Sequence, residues 1–181
     1  MSRSSAAAVD TCFLIDWSRY SRRECIRRVF SRLVVTEPIL REVVSESVLS
    51  MLASWISSGY IVISPIREDD AEVEELVAYA AADPRVPRLD PPDATVLVTA
   101  RRMKIPLISE NKATLRITEY HPRYREVRVI GALEVIAEAW RTGALEVGLR
   151  EALVEYERET RHLFPRRKLA QLLGGELDRD T

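Results

Sequence analysis

Amides are almost missing from this chain: Asn111 is the only asparagine and Gln171 the only glutamine in 181 residues. Lysine is scarce as well, three residues against 24 arginines among the 27 cations. Few heat-labile amides beside 30% charged residues point to a heat-adapted, thermophile source. Cysteine and histidine number two each. Cys12 and Cys25 match no CxxC or Cys/His spacing and cannot build a disulfide framework, so reduced thiols in a cytoplasmic setting are expected. His121 and His162 have no ligand spacing either, which argues against a zinc hydrolase; both are expected at the surface. No glycine lies between Asp10 and Ile15, so the Gly-rich first turn of a dinucleotide-binding fold is lacking. A long apolar run is lacking too. The longest uncharged stretch, Ser47 to Ile66, holds six serines, Gly59 and Pro65, and reads as a helix ending near Ser58, a turn and a strand at Tyr60–Ile63 rather than a membrane span. Asp10 and Asp16 interrupt the only early apolar run, so no signal peptide is expected. A net charge of -1 excludes a polycation and leaves nucleic-acid contact to local basic clusters.

Apolar residues make up 46% of the chain, enough to bury a globular core. The rest of the chain is organised around Ala7-Ala8-Val9-Asp10-Thr11-Cys12-Phe13-Leu14-Ile15-Asp16. Its apolar start reads as a strand buried on both faces, and its first charge, Asp10, marks the carboxyl end, where open α/β sheets place ligands. A basic helical region around Arg19 to Arg28 follows, then a strand at Leu33–Val35. Thr36 is a candidate cap and Pro38 a first-turn residue for the helix that carries Glu42. Further helices are expected over Asp69–Ala82, Asp93–Met103 and Lys112–Tyr120, with strands at Ile105–Ser109 and Val127–Ile130 and a proline-rich loop from Asp83 to Pro92. Such alternation gives an α/β fold, a parallel sheet with helices on both faces. Beyond Ile130 a helix from Gly131 and another over about Leu145–Leu163 follow; Leu149, Leu153 and Tyr156 of the latter are expected to be buried against the former or a second subunit. The Gly174-Gly175 tail is expected to fray.

Glu42, Asp93 and the pair Glu110-Asn111 are placed to meet Asp10. Each alone has an ordinary explanation: Glu42 as a solvated helix face, Asp93 as a first-turn acid, Asn111 as a helix cap, Glu110 as an exposed side chain, Ser109 as a cap. A haloacid-dehalogenase-type phosphotransferase wants Asp-x-Asp after strand 1, and Cys12 occupies the second position. Adjacent residues leaving a strand point to opposite sides, so only one of Glu110 and Asn111 faces Asp10.

Taken together, this set resembles the PIN domain. The shared features are an apolar strand into Asp-Thr-x-x-Leu-Ile-Asp, a Pro-x-x-x-Glu-Val helix, an Asp-Ala at a helix start and a strand into Ser/Thr-x-Asp/Asn; they span about Ala6 to Ile130. The resemblance implies a three-layer α/β/α fold with strand order 3-2-1-4-5 over residues 1–130, and leaves 131–181 as a C-terminal helical extension packed on the same domain. It also implies a cytoplasmic, metal-dependent endoribonuclease, a hydrolase that uses Mg²⁺ or Mn²⁺ to cut single-stranded RNA. The acidic quartet falls on Asp10, Glu42, Asp93 and Asn111, with Thr11, Ser109 and Glu110 behind it; Asn111 departs from the commoner Asp and is the expected partner of Asp10. Hard divalent ions suit such oxygen donors. A VapC-like toxin of a VapBC-like toxin-antitoxin pair is the expected role, with RNA, a small antitoxin protein and a second copy of the chain as partners and no membrane. A housekeeping RNA-processing nuclease and a non-catalytic RNA- or protein-binding PIN module are the alternatives. RNA contact is expected from Arg19, Arg22, Arg23 and Arg27, with Arg28 beside them and Trp17 and Tyr20 interleaved for base stacking, and from Arg101 and Arg102 beside Lys104. The run Arg166-Arg167-Lys168 is a further basic segment.

Overall fold

A computed structural model describes residues 6–174. Strand β1 (Ala7–Val9) is buried along its whole length, and its small side chains let helices close over both faces. It turns at Asp10 straight into α1 (Thr11–Arg19). The basic helical region expected around Arg19 to Arg28 is broken into the end of α1, a 3₁₀ turn at Arg23–Cys25 and a single turn of helix, α2 (Ile26–Val29). Next come β2 (Leu33–Thr36) and α3 (Glu37–Glu42), with Pro38 in its first turn. That helix ends at Glu42, and Val43–Ser45 separate it from α4 (Glu46–Ser57). Gly59 takes φ +70°, a conformation open to glycine, and the chain enters β3 (Ile61–Ser64). The uncharged stretch thus breaks into helix, turn and strand; among the described residues no helix is long and apolar enough to cross a membrane.

The chain continues through α5 (Ala71–Ala82), α6 (Pro91–Met103), β4 (Leu107–Ile108), α7 (Lys112–Tyr120), β5 (Val129–Ile130), α8 (Ala132–Arg141), α9 (Leu149–Thr160) and α10 (Arg166–Gly174). Helix α6 starts at Pro91, before the expected Asp93, because two prolines fit its first turn. Helix α9 is shorter than expected and stops at Arg161, whose φ of 62° reverses the chain. The basic run opens α10, and Gly175 lies outside the described residues. All five strands are parallel in the order β3-β2-β1-β4-β5, a helix-flanked three-layer α/β sheet as expected. Strand β1 therefore lies between β2 and β4, where the direction of winding reverses, and the carboxyl ends of β1 and β4 form the edge at which open α/β sheets place their ligands.

Buried hydroxyls lock α6 across the sheet. Thr36 holds the N-cap position of α3, as expected, but its side chain makes no capping bond; its Oγ1 pairs with Thr95 Oγ1 at 2.7 Å, and Ser64 Oγ pairs with Thr99 Oγ1 at 3.0 Å. These contacts hold the helix that carries Asp93 over the strands that frame Asp10.

Residues beyond Ile130 complete the same hydrophobic core. Leu149, Leu153 and Tyr156 are buried, as expected, with α9 packed on α1 and α8. The Tyr156 ring lies 5.8 Å from Trp17 and 5.2 Å from Tyr20. Trp17 and Tyr20 are fully buried, which corrects the expectation that they stack on bases: amphipathic α1 turns them inward. His121 is buried beside Tyr79 and Tyr124, also against expectation.

Candidate functional site

Asp10 sits at the β1–α1 junction, 2% exposed. Its Oδ1 accepts the Phe13 N–H at 2.8 Å and so caps α1. Its Oδ2 is buried and meets no donor in hydrogen-bonding geometry. Burial above all pushes its pKa up to about 6; the Ser109 hydroxyl and the Phe13 N–H pull it down, and the charges of Glu110 and Asp16 push it further up. Asp93, in the first turn of α6, is pushed up to about 7 by burial and then by the charges of Asp10, Glu42 and Asp90. Asp10, Glu42 and Asp93 therefore share one field, although each comes from a different element.

Their braces are specific. The Thr11 hydroxyl donates to Glu42 Oε2 and ties the end of α3 to the start of α1. Asn111 Nδ2 donates to Asp93 Oδ2 at 2.6 Å, while Asn111 Oδ1 accepts the Ala113 N–H at 2.8 Å and caps α7. The backbone N–H of Asn111 donates to Ser109 Oγ at 3.1 Å. Asn111 thus does face the acidic cluster, but with its nitrogen: the cap occupies its oxygen, so it acts as a donor holding Asp93 where an oxygen ligand was expected.

Glu110 turns the other way. Its Oε1 accepts the Ala132 N–H at the start of α8 at 3.0 Å, and a Cβ on Gly131 would come within 2.8 Å of that oxygen, so the glycine makes room for it. Glu110 Oε2 lies 2.8 Å from His162 Nε2, an ion-pair contact rather than an aligned hydrogen bond, and His162 Nδ1 lies 3.4 Å from Asp16 Oδ2. His162 is therefore no simple surface residue. Asp16 closes the Asp-Thr-x-x-Leu-Ile-Asp segment and stands four residues after Cys12, on the same helical face. Burial above all, then the charges of Asp10, Asp93, Asp16 and Glu42, pushes the Cys12 thiol up to about 11, which argues against a thiolate nucleophile. Periodicity places Asp16 and Cys12 on one face, but no local signal points to His162, which arrives from the far end of the chain.

No family model and no curated protein matches the chain. Its site must be judged on its own residues. Among the described residues, no three His, Cys, Asp or Glu side chains converge into a ready-made metal cage.

The arginines stand away from this edge. Helix α1 runs back from the carboxyl edge, so Arg19, at its last position, is about 13 Å along the helix from Asp10. Arg19 lies 3.8 Å from Asp16, Arg22 pairs with Glu155, and Arg27 pairs with Glu24 while covering the Trp55 and Tyr60 rings. Arg23 Nη1 donates to the Ser18 carbonyl. Arg101 and Arg102 end the helix that Asp93 begins, about 12 Å away, and are bound to Glu72 and Asp70. The expected rim is thus largely engaged in folding contacts. Arg41, beside Glu42, 60% exposed and 3.4 Å from Glu68, and Lys112, directly after Asn111 and exposed, are the cations next to site residues in the chain, and sequence reasoning passed over both.

Proposed function

We propose that this chain is a divalent-metal-dependent ribonuclease of PIN type that hydrolyses phosphodiester bonds of single-stranded RNA. The observation that carries the reading is the meeting of buried Asp10, at the β1/β4 switch point, with Asp93, which lies in the field of both Asp10 and Glu42. Buried carboxylates in one another's field cost stability unless a cation meets them. Mg²⁺ typically takes one or two carboxylates and keeps waters, so Asp10 and Asp93 suit an open Mg²⁺ or Mn²⁺ site rather than a closed cage. When bound, the ion would supply Lewis-acid polarisation of the phosphodiester and a more acidic water. Asp10 and Asp93 would hold it. Glu42, oriented by Thr11, is the candidate to accept a proton from the attacking water. Asn111 keeps Asp93 aimed, and Ser109 steadies both Asp10 and the Asn111 backbone. Arg41 and Lys112 are the candidates for phosphate contact beside the site.

The test is cleavage of a fluorescent single-stranded RNA with Mg²⁺, with Mn²⁺ and with chelator. Wild type is expected to cut only with metal, and Asp10→Asn to fold normally and not cut; metal-independent cutting, or full activity in Asp10→Asn, overturns the assignment. A second reading, a module that binds RNA or a protein without cutting, is favoured by the absence of three converging ligands among the described residues. Salt-dependent RNA binding with no cleavage under any metal would support it. A toxin paired with a small antitoxin protein is the expected biological setting, and a neighbouring reading frame for a DNA-binding partner separates it from housekeeping RNA processing.

A further inference from the structure

His162 lies outside every motif in the sequence, yet the chain builds a seat for it. Arg161 ends α9 in the left-handed region and swings the next residue back toward the sheet. The His162 N–H donates to Thr160 Oγ1 at 3.1 Å, and the Phe164 N–H donates to Glu157 Oε1 at 2.8 Å. The imidazole packs edge-on against Tyr156, at 6.2 Å, and Phe164, at 5.6 Å. So seated, it presents one nitrogen to Asp16 on α1 and the other to Glu110 between β4 and α7.

Asp16 and Glu110 are like charges in each other's field, and His162 is the group between them. Its two nitrogens thus bridge the two carboxylates, Nδ1 at 3.4 Å from Asp16 Oδ2 and Nε2 at 2.8 Å from Glu110 Oε2. Glu110 is thus engaged at both oxygens, Oε2 by the close contact with His162 and Oε1 by the Ala132 N–H at the start of α8. Its chain neighbours are the residues that reach the acidic cluster: Ser109 toward Asp10, and Asn111 to Asp93 at 2.6 Å. Movement of Glu110 carries the Ser109–Asn111 turn with it.

We infer that His162 is a positioning residue: by clamping Asp16 to Glu110 it fixes the Ser109–Asn111 turn, and with it the Asp10–Asp93 geometry, so the segment after Ile130 helps to set the acidic site. This rests on the nuclease reading for its consequence but not for its test. With Asn111 and Gln171 the only side-chain amides, a ¹H–¹⁵N spectrum contains two side-chain NH₂ pairs, and Asn111→Ser assigns them. In metal-free His162→Leu the Asn111 pair is expected to shift and broaden, because its bond to Asp93 loosens. Adding Asp16→Ala, which introduces no further amide, removes the repulsion that the clamp offsets and is expected to return the pair toward its wild-type position, which a merely space-filling histidine would not allow. Calorimetric Mn²⁺ affinity is expected to fall about tenfold in the single variant, as for loss of a residue that orients ligands, and to recover in part in the double. If His162→Leu loses its dispersed backbone spectrum, His162→Phe, which keeps a ring and adds no amide, is read in the same way. An unmoved Asn111 pair in a folded His162 variant overturns the inference. A wild-type protein that neither binds Mn²⁺ nor cuts RNA overturns the nuclease reading instead, and leaves the amide spectrum to decide the role of His162.

Discussion

Asp10 is held as a carboxylate in a place that disfavours its charge, and this has a thermodynamic sign. Its folded pKa of about 6, and that of Asp93 at about 7, lie above the ordinary 3.8, chiefly because both are buried. The folded state therefore binds more protons than the unfolded one, and stability falls as pH rises from about 4 to about 7, on the order of 3 kcal/mol for Asp10 alone. Glu72 has the opposite sign: burial pushes it up, but bonds from Arg101, Tyr124 and Arg102 prevail and hold it at about 2, so its contribution is present above 4.5 and fades as pH falls toward 2. The metal-free protein is expected to melt highest near about pH 5 and progressively lower toward about pH 8, a decline that Asp10→Asn flattens. Thermal melts across that range decide it, and a midpoint rising with pH would contradict the site electrostatics. Asn111 permits a sharper test. Asn111→Asp keeps a good cap for α7 but sets a carboxylate against Asp93 in place of a donor, so the metal-free protein is expected to lose about 1–3 kcal/mol at neutral pH. Mn²⁺ affinity is expected to rise in the same variant, since the cluster gains a charge. Denaturant melts and calorimetry read the two effects. That Asn111 caps α7 and belongs to the cluster was legible from its residue type and its place after the strand, but that its nitrogen reaches Asp93 was not, because that contact spans α6 and α7 and forms only when the two pack.

Helix α6 shows how an element delivers a residue. Its apolar positions Ala94, Leu97, Val98 and Ala100 recur at helical spacing and predict the face it buries, which the structure bears out. Thr95 and Thr99 lie within the same helix and carry no such signal, yet their hydroxyls meet Thr36 and Ser64 across the sheet. Thr95→Val is expected to cost about 1–3 kcal/mol, since it strands the buried Thr36 hydroxyl. The Thr36→Val/Thr95→Val pair is expected to cost less than the two single changes summed, because it removes both partners together. Urea titrations of the four proteins give the coupling, and strict additivity would show that the bond contributes nothing. Helix α3 teaches the complementary point. Ile39, Leu40, Val43 and Val44 recur at helical spacing, yet α3 ends at Glu42, and the contact with Thr11 joins that end to α1.

For the molecule as a whole, the segment after Ile130 shares one core with the sheet, through Tyr156 against Trp17 and Tyr20. Tyr156→Ala is expected to lose about 3–5 kcal/mol, as for a large buried aromatic, measured by denaturant unfolding. The sequence alone determined the strand–helix alternation, and from it the parallel sheet, because burial of a central strand on both faces leaves a local mark: an unbroken apolar run that ends in a charge. It also marked Asp10, Glu42, Asp93 and Asn111, each beside a strand or on a helix whose periodicity could be read, and the resemblance to known folds supplied the strand order that the structure shows. Only the tertiary structure decided which way the arginines face, that Trp17 and Tyr20 point inward, that Glu110 turns to α8, and that His162 reaches Asp16 and Glu110 from the other end of the chain. The physical reason is range: propensity, capping and amphipathicity act over a few residues, whereas a contact such as that between Glu110 and His162 exists only after sheet and helices have packed, and nothing within one turn of either residue encodes it.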